Sequence, residues 1–96
     1  MEEIPFEQLI QKSLELPAEK KIYFNGHVVQ SSVTDFVIVL LHNNQPIAHL
    51  TTSHIIAKSL GNAIIGVLEA FEKDTQYEIP TLDEMKSRIS ESKKKP

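Results

Sequence analysis

Apolar positions recur with three different periods along this chain, and each period predicts an element. Phe6, Leu9, Ile10 and Leu14 stand at helical spacing between Pro5, which suits a first helical turn, and Pro17, which closes the segment. A short amphipathic helix is predicted within residues 1–19. Residues 22–29 (IYFNGHVV) are rich in aromatic and β-branched side chains and predict a strand, with Gly26 in its interior as the place for a bulge or close backbone contact. Residues 31–35 form a turn, and residues 36–41 are an unbroken apolar strand. Asn43 and Asn44 mark a tight hairpin turn, because asparagine tolerates left-handed backbone. Pro46 opens a third strand without breaking a ladder, and residues 47–51 complete it. Residues 20–52 are therefore predicted to be a three-stranded antiparallel β-meander.

The period then changes to 3.6. Ser53 is a candidate N-cap for a helix over residues 53–74. Ile56, Leu60, Ala63, Ile64, Val67, Leu68, Ala70 and Phe71 share one half of its wheel, while Lys58, Asn62, Glu69, Glu72 and Lys73 occupy the other. Gly61 and Gly66 each cost about 1 kcal/mol against alanine in a helix interior, and neither lies at the centre of the stripe. Ile65 points to the polar side. Beyond the break at Pro80, Thr81 with Glu84 makes a capping box for a short helix over residues 81–92, with Leu82, Met85 and Ile89 as its apolar stripe. Residues 93–96 form a basic tail. The pattern describes a single α+β domain, a meander followed by a long helix packed on one sheet face, with short amphipathic helices at both ends.

The middle strand makes a further demand. Side chains alternate across a strand, so Phe36, Ile38 and Leu40 face one way and Val37, Val39 and Leu41 the other. Both sides are apolar, and one helix covers one side. Val37, Val39 and Leu41 are the candidate face for a second layer, supplied by the terminal helices or by a second copy of the chain. A homodimer is the expected answer, two-fold dimers being the commonest oligomers.

Residues 22–78 resemble the small bacterial and archaeal family DUF3467, a domain of unknown function. The resemblance rests on Tyr23-Phe24-Asn25, then Val28 or Val29, Ser31 or Ser32, and Asp35-Phe36 opening an apolar strand. It continues through Ala48, the helix opening Ser53-His54-Ile55-Ile56-Ala57-Lys58-Ser59-Leu60, and the pair Tyr77-Glu78. The turn at Asn43-Asn44 is shorter than the family usually has, and both terminal helical segments lie outside the match. The resemblance implies a meander followed by a helix, and a dimer. It carries no catalytic residues.

Composition and charge narrow the function classes. The chain has 96 residues, 41% hydrophobic and 24% charged, as a folded domain does, and no cysteine, which excludes disulfide scaffolds, thiol catalysis and thiolate zinc sites. The longest apolar run is short and the first residues are acidic, so a cytoplasmic protein with no membrane span or signal peptide is expected. Ten basic residues stand against 13 acidic ones. Without Lys93, Lys94 and Lys95 the balance is 7 against 13, a net of −6 that repels phosphate, so nucleic acid is not the expected partner.

Four histidines invite a metal reading. His27, His42 and His49 belong to three different strands, and His54 to the first turn of the long helix, with none of the paired spacings that converge on an ion. Ser31, Ser32, Ser53 and Ser59 lack a Gly-x-Ser-x-Gly elbow. The connection at residues 50–54 has no glycine with which to cradle phosphate. Tyr23 and Phe24 lack the basic surroundings of a base-stacking platform and read as packing residues. No catalytic, cofactor or metal site and no small-molecule substrate are therefore expected. The sequence reads as a non-enzymatic homodimeric interaction or adaptor module. Its alternatives are a nucleic-acid-associated regulator using the lysine tail and a small acidic protein resembling secretion chaperones.

Overall fold

The computed structural model describes residues 4–94, with side chains to residue 91, and the chain divides into two compact units, Met1–His54 and Ile55–Pro96. The first unit opens with helix α1, Phe6–Leu14, whose first turn is anchored where Gln8 and Leu9 donate their backbone N–H to the Pro5 carbonyl. A single 3-10 turn, Ala18–Lys20, follows. Strands β1 (Gly26–Ser31), β2 (Phe36–His42) and β3 (Gln45–Thr52) then form an antiparallel sheet in the order β1-β2-β3. The second unit holds nearly all of the long helix α2, His54–Thr75, and a shorter α3, Leu82–Lys94. The architecture is the α+β meander followed by a long helix that the sequence pattern describes.

The first strand is shorter than its composition predicts. Ile22, Tyr23, Phe24 and Asn25 lie before β1, because Gly26 already faces Leu41, near the end of β2. Beyond that point β2 has one residue left before the hairpin, so after the bond from the Asn25 N–H to the Leu41 carbonyl the ladder ends. Gly26 therefore opens the strand instead of interrupting it. A Cβ added there would stand 3.3 Å from the Leu41 Cβ, so glycine permits the close cross-strand approach.

Asn43 and Asn44 have φ of 50° and 68°, the left-handed pair that a two-residue hairpin turn requires. Asn25 fixes this turn from outside. Its side-chain oxygen accepts from the Asn43 backbone N–H at 2.9 Å, its side-chain NH₂ donates to Asn43 Oδ1 at 3.0 Å, and its backbone N–H donates to the Leu41 carbonyl. On β3 the register shifts: Leu40 faces Ala48 but Leu41 faces Pro46, so Ile47 is the extra residue of a bulge. Pro46 has no N–H to give a ladder, and it stands where the pairing becomes irregular.

Helix α2 begins directly after Ser53 and ends without glycine. Gln76, at φ 55°, takes the left-handed position, and the Tyr77 N–H reaches the Glu72 carbonyl in a Schellman-type closure. The Glu72 carboxylate also accepts the Ile79 N–H at 2.7 Å, tying the following segment to the helix end. The cap of α3 is where the sequence placed it, with Thr81 Oγ1 accepting from the Glu84 N–H at 3.2 Å. Its backbone runs on through Lys93 and Lys94, two residues past the predicted end, while Lys95 and Pro96 of the basic tail lie outside the described residues.

Candidate interaction surface

Directly opposed residues of an antiparallel pair place their side chains on the same face, so the register defines two unlike faces of the sheet. On the first, Ile38 is flanked by Val29 and Leu50, Leu40 by His27 and Ala48, and Phe36 by Ser31 and Thr52. Leu40, at 8% exposure, is the only buried apolar residue among those described. On the second face, Val37 lies between Gln30 and Thr51, Val39 between Val28 and His49, and Leu41 between Gly26 and Pro46. The three candidate residues therefore share a face, as expected. They form a half-buried apolar ridge whose flanking strands are largely polar and exposed.

Helix α2 presents the larger uncovered surface. No residue of α2 is buried. Leu60, Ile64, Leu68 and Phe71 remain 45%, 50%, 44% and 51% exposed, and Val67 70%. Full burial of such a side chain contributes about 1.5–3 kcal/mol. At half exposure the five together forgo several kcal/mol, a sizeable part of the ~5–15 kcal/mol that holds a small domain together. By length and composition α2 is also the one described helix able to cross a membrane, at a mean hydropathy of 1.2.

The polar candidates are spread over the sheet and its ends. His27 and His49 flank different faces of β2, and His42, at the end of that strand, stands edge-on to Tyr23 with ring centroids 6.0 Å apart. Among the described residues no three His, Asp or Glu side chains gather as a metal site. The fold does bring together one pair that sequence reading missed: Ser31 Oγ and His54 Nε2 lie 2.8 Å apart, joining the end of β1 to the first residue of α2. Both side chains are exposed, and the Ser31 hydroxyl also reaches the Ser32 carbonyl at 3.3 Å, so the pair forms a solvated latch. Nothing in a 23-residue separation signals such a pairing. Ser32 closes the β1–β2 turn on the backbone of Asp35, its Oγ accepting the Asp35 N–H at 3.0 Å. A shallow open depression of about 410 Å³ at the end of α2 is lined by Glu72, Lys73, Gln76, Tyr77 and Glu78. Its most engaged group, Glu72, is already bonded to Ile79.

No family model, curated protein or solved structure was found to match this chain.

Proposed function

We propose that this chain is a non-enzymatic protein-interaction module that works as a homodimer. The observation that carries this reading is burial: one apolar residue, Leu40, is buried among those described, while the stripe of α2 and most large apolar side chains of both units are exposed. Exposed apolar surface on this scale marks a partner-binding surface. The chemistry-bearing side chains support the same reading, because Asn25, Ser31, Ser32, His54 and Glu72 are engaged in turns, latches and caps. The two surfaces suit different roles. An apolar ridge with a polar rim, as at Val37, Val39 and Leu41, has the make-up of an exchangeable interface, whereas a continuous apolar stripe has that of a permanent one.

Light scattering on the purified chain over a hundredfold dilution tests the reading. The expected mass is twice 10.9 kDa, with reversible dissociation only at the lowest concentrations. A mass of one chain throughout, with native circular dichroism, overturns it.

A further inference from the structure

The sheet has two edges, and they are built differently. On the β3 edge, Pro46 has no N–H to offer a further strand, and the bulge at Ile47 breaks the regular pairing. Prolines and bulges are devices by which folded proteins blunt an edge against other chains. Strand β1, residues 26–31 (GHVVQS), has neither: its register against β2 is unbroken, and it carries no proline, no lysine and no carboxylate. Among the described residues no further strand pairs with it.

The register fixes which backbone groups this edge offers. In an antiparallel ladder, pairs that exchange two N–H···O bonds alternate with pairs that exchange none. The Ser32 N–H donates to the Asp35 carbonyl at 2.8 Å, one step beyond the end of the strand. Counting back by twos along the register, Gln30 bonds Val37, Val28 bonds Val39 and Gly26 bonds Leu41. His27, Val29 and Ser31 therefore aim their N–H and C=O away from β2, to the open side. A row of unpaired donors and acceptors of this kind is a template for another strand.

We propose that the occupant of this edge is β1 of a second copy, antiparallel, with the two-fold axis at Val29, so that two three-stranded sheets join into one. The proposal rests on the homodimer reading above and specifies its interface. The register selects both the copy and the axis. Centred on Val29, the pair opposes Val29 to itself and His27 to Ser31, so every outward residue of both copies bonds, with about six backbone hydrogen bonds in all. An axis one residue to either side pairs only two of the three. Ser31 then meets Asn25, whose N–H is already given to Leu41, or His27 meets Val33 in the turn. The side chains agree with the backbone. Val29, Ile38 and Leu50 form one apolar row across the first face. With the axis at Val29 that row runs on through Val29, Ile38 and Leu50 of the second copy without a polar break. Val29, 54% exposed in the single chain, is then shielded on its open side.

Amide exchange on the full chain reads the edge directly. In the dimer, the amides of His27, Val29 and Ser31 are expected to be protected along with those of Val28 and Gln30. On dilution to single chains, these three alone should exchange at least tenfold faster. Val29→Cys is a second probe, since the chain has no cysteine. Cα atoms of a mutually bonded pair stand about 5.5 Å apart, within reach of a disulfide. Mild oxidation is expected to give a reducible covalent dimer, whereas Thr51→Cys, on the other edge, gives none. Val29→Pro removes one outward N–H and no bond to β2, and should weaken the dimer at least tenfold. A dimeric mass with free exchange at the three amides, no Val29→Cys cross-link and an unchanged affinity of Val29→Pro overturns the β1 pairing and leaves the homodimer standing. Protection of the three amides without the cross-link overturns the axis at Val29. A mass of one chain at every concentration overturns both readings, and protection of the three amides in that monomer would make the occupant a segment of the chain's own.

Discussion

Strand β2 and helix α2 are the two most apolar elements of this protein, and they meet water very differently. Every residue of β2 from Phe36 to Leu41 is at least half-buried, and Leu40 is buried. Along α2 no residue is buried at all. The contrast follows from backbone chemistry. A strand must satisfy its N–H and C=O groups on neighbours, so β1 and β3 come alongside β2 and their side chains shield it on both faces. A helix satisfies its backbone internally. Its backbone by itself therefore calls for no neighbour.

The largest expected effect breaks the comparison at both ends. Leu40→Asp places a charge in the shielded strand and is expected to unfold the sheet, at on the order of 4 kcal/mol or more, read as loss of amide-exchange protection across β1, β2 and β3. Ile64→Asp, an equal change on α2, should leave that protection intact. Next in size, Asn25→Ala removes the side-chain clasp on Asn43 and should lower stability by about 1–2 kcal/mol in urea titration. Asn43→Gly in the same background should recover little of it, since the missing bonds come from Asn25.

Gly66→Ala sharpens the helical side of the contrast. Gly66 has nothing within 4 Å of a built Cβ and lies away from the stripe, so alanine should stabilise by about 1 kcal/mol without changing the dimer dissociation constant. A weakened dimer would place Gly66 in the interface. The smallest effect is expected at Val33, 99% exposed at the tip of the β1–β2 turn. Val33→Ser should stay within about 0.5 kcal/mol of the parent in thermal melts.

Much of this molecule is legible in local spacing. The Asn43-Asn44 turn, the Thr81–Glu84 cap, the stripe of α2 and the alternation along β2 all appear where the sequence puts them, because each depends on residues a few positions apart. Asn25 belongs to a motif that stands out in the sequence, but its partner lies 18 residues away and meets it only once β1 and β2 align. The same holds for Ser31 and His54, 23 residues apart. The end of α2 was hidden for another reason: its left-handed cap is Gln76, a residue type that announces no such conformation.

The amino-acid order alone establishes that β2 is apolar on both sides and that α2 carries an apolar stripe, since periods of two and 3.6 are properties of the backbone itself. Which sheet face is richer is a matter of register. Pairing Ile38 with Val29 and Leu50, while Val37 meets Gln30 and Thr51, makes one face a small core and the other a ridge with a polar rim. That difference arises between strands, from partners that no single stretch of sequence contains.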